Sequence, residues 1–263
     1  MPIFKREDIE LYYEEHGAGF PVLLISPGGM RSTVAFWERT PWNPIEQLAP
    51  HYRVIAMDQR NAGQSVAPIG ATDSWHVYTA DQFALLDHLG VERFHVAGMC
   101  IGGPYIMGLI QAAPQRVTSA VLFQTIGLHN NRQAFFEMFD SWATDLKLKR
   151  PEVSEEAWES FKKTMYGGDF LFNVSREFVS ACQTPLLVLM GKTCTTLPKR
   201  HARSRRWRRT PRSSNTGKSR RTNRRRRRQS RNFWRSTRRV NTSPPVCHTA
   251  FGRVALVGQQ TCR

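Results

Sequence analysis

Apolar runs of strand length alternate along the chain with longer stretches of helical spacing. Residues 9–14 alternate polar and apolar and predict an opening strand; residues 21–26 form a continuous apolar run that predicts a buried strand, ended by Gly28-Gly29. A second buried strand is predicted over 52–57, followed by the polar turn 58–65. Phe83, Leu86 and Leu89 lie at helical spacing within 79–89, with Gly90 as a stop signal. A short strand follows at 94–97, then a helix over 101–113 ended by Pro114, and a further strand at 117–123. From about residue 130 to 181 the pattern is amphipathic and helical, rich in Phe, Trp and Met, and strand signal returns only at 185–190. Strands alternating with helices predict an α/β fold, a doubly wound and mostly parallel sheet joined by right-handed crossovers, with the helical insert 130–181 as a lid.

Charge divides the chain more sharply than pattern does. Residues 1–191 carry all 21 acidic residues against 15 Lys and Arg, a formal charge of −6, whereas residues 192–263 carry 23 Lys and Arg and no acid. The +17 of the whole chain therefore belongs to its tail. That tail lacks Ile, Tyr and Met, contains the unbroken arginine run 224–228 and shows no periodicity, so it is expected to be disordered. The expected organisation is an α/β core over 1–191, including the lid, and an arginine-rich tail over 192–263. The five cysteines, Cys100, Cys182, Cys194, Cys247 and Cys262, show no CxxC spacing and no dense framework, which argues against a zinc site or disulfide scaffold and for a reducing compartment. The first residues are charged where a signal peptide needs an apolar core, and no window reaches the ~20 apolar residues of a membrane span. The expectation is a cytoplasmic protein with no membrane association, metal or cofactor.

Candidate chemistry centres on Gly98-Met99-Cys100-Ile101-Gly102-Gly103, which falls between a predicted strand and a predicted helix. A strand that reverses sharply into a helix strains its central residue and tolerates only small neighbours, so Gly98 and Gly102 flank a side chain lifted out at the strand tip. The helix N-terminus behind Cys100 favours negative charge and is expected to lower its thiol pKa. With strand, bend, helix and upstream glycine turn in order, residues 9–191 resemble the α/β-hydrolase superfamily, in its haloperoxidase-like and enol-lactonase-like branch. A cysteine at the bend is similar to dienelactone hydrolases. The resemblance implies that Cys100 is the nucleophile and that the backbone N–H groups of Gly29 and Ile101 form an oxyanion hole. It also matches Asp58-Gln59-Arg60-Asn61-Ala62-Gly63-Gln64-Ser65 to the family's D-x-R-G-x-G-x-S turn, with Asn61 in place of a glycine. Asp58 and Arg60 read as structural residues near the site, His95 as a core histidine, and the lid aromatics as lid core. Gly191-Lys192-Thr193 and Gly217-Lys218-Ser219 resemble the end of a phosphate-binding loop, but Leu186 and Arg212 stand where its first glycine belongs, which argues against nucleotide binding.

The resemblance breaks after the last predicted strand. The family order places an acid in the next loop and a histidine beyond it, yet no acid follows Glu177, and only His201 and His248 remain. Without an imidazole held by a carboxylate the nucleophile lacks its general base. Three readings follow: a small-molecule hydrolase acting on esters or lactones through Cys100, a non-catalytic pseudoenzyme or inactive truncation, and an arginine-rich tail that neutralises nucleic-acid phosphates, nonspecifically above all. The abrupt change of composition motivates a frameshift hypothesis near Gly191, because a two-base shift of 192–211 permits an acid directly after the strand and then an amphipathic helix. Sequencing the gene across codons 185–200 is expected to find the displaced frame; an in-frame read matched by the masses of the C-terminal peptides would defeat the hypothesis.

Overall fold

The structure, a computed structural model, describes residues 2–40 and 42–190 and the backbone of 254–257. Strands β1 (Ile3–Arg6), β2 (Ile9–His16), β3 (Pro21–Ile25), β4 (Arg53–Met57), β5 (Phe94–Met99), β6 (Val117–Phe123), β7 (Leu186–Leu189) and β8 (Val254–Val257) form one sheet. Its order is β1-β2-β4-β3-β5-β6-β7-β8. The pairings β1–β2 and β2–β4 are antiparallel and all others parallel, the mostly parallel sheet predicted.

The parallel strands are continuous apolar runs because both faces of the sheet are covered. Helices α2 (Trp75–His88) and α3 (Gly102–Ala112) lie over a core containing Leu23, Ile25, Ile55, Val96 and Leu122. On the opposite face α1 (Pro44–Leu48), with Pro44 in its first turn and the Asn43 side chain accepting from the Ile45 N–H, closes a second core around Val22, Leu24, Val54 and Ala56. The insert forms three lid helices, α4 (Arg132–Lys147), α5 (Glu155–Tyr166) and α6 (Arg176–Ala181). Ser154 and Ser175 cap the last two by accepting from the N–H groups of Ala157 and Phe178.

Winding starts near the middle of the sheet and reverses there, since β3 lies between β4 and β5. Ligands of open parallel sheets bind at such a reversal, beyond the carboxyl ends of the strands. Here it sets Ile25 opposite Gly98, so the turn after β3 adjoins the bend after β5 although they are some seventy residues apart.

Three elements differ from expectation. Helix α2 begins at Trp75 rather than residue 79, anchored where the Trp75 indole N–H donates to the Met165 carbonyl at 2.6 Å, a tertiary contact invisible to local periodicity. Strand β1, unforeseen, exists through its hairpin with β2, turning at Glu7 with φ 53°. The tail also departs from the disorder expected of it over Val254–Val257, which pairs in parallel with β7 from Leu186↔Val254 to Leu189↔Val257. An apolar run of strand length satisfies an edge whose N–H and C=O groups would otherwise lie open. Residues 191–253 and 258–263, and with them the frameshift hypothesis and the remaining reading of the tail, lie outside the described residues. Among the described residues no helix is long and apolar enough to cross a membrane.

A buried ion cluster ties the turn after β4 to α2. Arg60 donates to both carboxylate oxygens of Asp81 at 2.7 and 3.2 Å and lies 3.6 Å from Asp73, while Arg6 of β1 reaches Asp81 at 3.5 Å. Asp81 is 1% exposed, so losing it strands a buried guanidinium with only the more distant Asp73. Asp81→Ala is expected to destabilise the fold by about 3 kcal/mol, measured by urea unfolding.

Candidate active site

The bend between β5 and α3 exists because three side chains are missing. A Cβ on Gly98 would lie 2.9 Å from the Gly102 Cα, and one on Gly102 would lie 3.1 Å from the Ile25 carbonyl oxygen. One on Gly103 would lie 1.6 Å from the Thr125 hydroxyl. Glycine at these positions lets the first turn of α3 press against β3 and the loop after β6. Cys100, between them, adopts φ 59°, the left-handed region that non-glycine residues seldom occupy. Its backbone is held on both sides: the Cys100 N–H donates to Phe123 O at 3.0 Å, and Cys100 O accepts from Gly103 at 3.2 Å and Ile126 at 3.1 Å.

The turn after β3 faces this bend. Gly28 and Gly29 have φ 125° and 61°, and the short 3-10 turn Gly29–Arg31 follows. The backbone N–H groups of Gly28 and Ile101 both donate toward the Cys100 sulfur and favour its thiolate. Burial is nevertheless the largest effect and raises the thiol pKa above its ordinary value. This corrects the expectation of a lowered pKa, because the helix terminus delivers its amides inside a site too dry for them to prevail.

The lid closes over the same turn. A Cβ on Gly29 would meet the Met138 sulfur of α4 at 2.4 Å, and Arg31 donates to Ser141 O at 2.7 Å and pairs with Asp145. The Trp142 indole donates to Asn61 O at 3.1 Å. Asn61, with φ 57°, fills the glycine position of the polar turn, and its own side-chain oxygen accepts from the Ala67 N–H at 3.0 Å. Asp58 is structural in this turn, accepting from the N–H groups of Val34 at 2.7 Å and Gln64 at 2.9 Å; burial raises its pKa. His95 lies 2.7 Å from the Ser119 hydroxyl within the core, near the start of β5 and away from the bend.

Of the residues singled out from sequence, Cys100, Ile101, Gly98, Gly102 and the Gly28-Gly29 turn converge. The Gly28 contact with the sulfur was missed, and nothing local signals it. The loop 192–196, His201 and His248, where the resemblance puts an acid and a base, lie outside the described residues.

A family model described as the alpha/beta hydrolase fold matches residues 21–252. A protein of Azorhizobium caulinodans designated carbamate hydrolase RutD is 41% identical over 122 residues, covering 46% of this chain and 43% of that one. A Mycobacterium tuberculosis protein designated non-heme bromoperoxidase BpoC is 33% identical over 142 residues, covering 51% and 50%. The chain thus spans about half the length of these curated relatives. Among solved structures, the enol-lactonase of Burkholderia xenovorans LB400 is similar with a TM-score of 0.53 at 20% identity, over 73% of this chain and 81% of that one, a likeness of fold.

A raised thiol pKa means little thiolate at neutral pH and more as pH rises past the ordinary cysteine range. Alkylation of Cys100 by iodoacetamide, followed by peptide-resolved mass spectrometry, is expected to accelerate with pH to a midpoint above about 8.5, the value of a free cysteine. A midpoint below it would contradict the dominance of burial.

Proposed function

Because the chain belongs to the α/β-hydrolase family, we propose that it is a hydrolase of small ester, lactone or related acyl substrates that works through a covalent Cys100 acyl-enzyme. The observation that carries this reading is the left-handed Cys100 at a glycine-cleared bend, its sulfur approached by the amides of Ile101 and Gly28. In the proposed reaction the Cys100 thiolate attacks the acyl carbon, and the Sγ–C bond forms as the carbonyl oxygen takes the negative charge. The N–H groups of Gly29 and Ile101 hold that oxyanion. Collapse expels the alcohol, which takes a proton. Water then cleaves the thioester, releasing the acid and restoring the thiol. The relative designated a carbamate hydrolase is named for cleavage of an acyl bond, which supports this substrate class.

The general base would come from the C-terminal segment, which holds no acid and only His201 and His248. That composition and the raised thiol pKa favour a second reading, in which this chain turns over poorly or only binds its ligand. We place either form in the cytoplasm, with nucleic-acid contact limited to nonspecific attraction by the arginine-rich tail.

A chromogenic short-chain ester assay separates the two. The hydrolase reading expects turnover that falls to background in Cys100→Ala and after thiol alkylation, a loss of about a hundredfold or more. Turnover indifferent to both treatments removes Cys100 from the mechanism.

A further inference from the structure

The face of α4 that lies over the candidate site includes a residue the proposed reaction does not use. Met138, Ser141, Trp142 and Asp145 are spaced i, i+3, i+4 and i+7 along α4 and so share one face of it. Three of them are tied by directional bonds: Arg31 donates to the Ser141 carbonyl and pairs with Asp145, and the Trp142 indole donates to Asn61 O. Met138 instead meets the Gly28-Gly29 turn by packing. The three atoms nearest to a Cβ built on Gly29 all belong to Met138, its sulfur first, then Cε at 3.2 Å and Cγ at 3.3 Å.

The backbone side of this contact is fixed. Gly29 sits at φ 61° in the short 3-10 turn, which the Arg31 N–H closes by donating to Gly28 O at 3.1 Å. On the far side of the turn, a Cβ on Gly28 would lie 3.2 Å from the Phe36 ring. Two apolar side chains, Phe36 and Met138, therefore bracket the turn. Methionine is the adaptable one, since an unbranched thioether with three rotatable bonds changes its path where a glycine turn or an aromatic ring keeps its place.

The sheet sets this contact beside Cys100. Ile25 stands opposite Gly98 in the β3–β5 pairing, and a Cβ on Gly102 would lie 3.1 Å from the Ile25 carbonyl oxygen. The turn after β3 and the bend that carries Cys100 are thus packed backbone to backbone. Cys100 and Met138 are both half-buried and pack against the same core cluster.

We propose that Met138 determines specificity: its thioether walls the approach to Cys100 at the Gly28-Gly29 turn and restricts the part of the substrate lying there to a short, unbranched apolar group. As a statement about substrates this rests on the reading of Cys100 as nucleophile; as a statement about access to the thiol it does not.

Access is read with two maleimides of the same chemistry and different bulk, N-methylmaleimide and N-cyclohexylmaleimide, each added to the full chain and followed on the Cys100 peptide by mass spectrometry. In the unsubstituted chain the methyl reagent is expected to react faster. Met138→Ala should shift the ratio of the two rates by about tenfold or more toward the bulky reagent, the range that a methylene or two of space is worth. Met138→Leu, close to methionine in volume, should restore most of the selection. Asp145→Ala removes a largely exposed partner of Arg31 and loosens α4 while keeping Met138, and should leave the ratio near that of the unsubstituted chain. Equal rates for the two reagents in the unsubstituted chain, an unchanged ratio in Met138→Ala, an equal shift in Asp145→Ala, or no modification of Cys100 in any of these chains each overturns the proposal. Thiol addition needs no turnover, so an ester assay without activity leaves this result standing, and a failed Met138 test leaves the ester assay intact.

Discussion

The site depends on how closely α3 can approach the sheet. A helix and a strand normally keep their backbones apart by the thickness of their side chains; here Gly98, Gly102 and Gly103 remove that thickness at one point. The chain can then turn within a single residue, and Cys100 takes the left-handed conformation that the turn demands. The conformation is held by hydrogen bonds to Phe123 and Ile126 at the tip of β6, so the strain is borne by the sheet rather than by the loop alone. The sulfur and the Ile101 amide beside it take their positions from that approach.

The lid is a structural partner of the core as much as a cover. Its inner face is aromatic, with Phe135, Phe139, Trp142, Trp158 and Phe161 buried against one another and the core below. Directional bonds fix where it sits: Arg31 to α4, Trp142 to the turn at Asn61, and Trp75 to the end of α5. Apolar packing supplies attraction without direction, and these few bonds supply register. The same closure that positions the lid dries the site.

Drying has opposed consequences for the chemistry. It strengthens the pull of the two amides on the sulfur, and it also penalises the thiolate they would stabilise; the second effect is the larger. A thiol whose pKa is raised is mostly protonated at neutral pH, so it needs a base to take its proton before it can attack anything.

Much of this was legible in the sequence, and the reason is locality. Strand and helix order follows from apolar spacing over a handful of residues, and the bend announces itself by glycines on either side of Cys100, since steric clearance is a matter of immediate neighbours. The early start of α2, the presence of β1 and the strand Val254–Val257 were decided by partners distant in the chain, through Trp75 and Met165, β2, and the open edge of β7. So too was the Gly28 amide at the sulfur, brought there by the pairing of β3 with β5. Sequence singled out Cys100, but only the folded surroundings set the sign of its pKa shift. Hydrogen-bond donors can be inferred from a motif, whereas desolvation belongs to every atom that packing brings near.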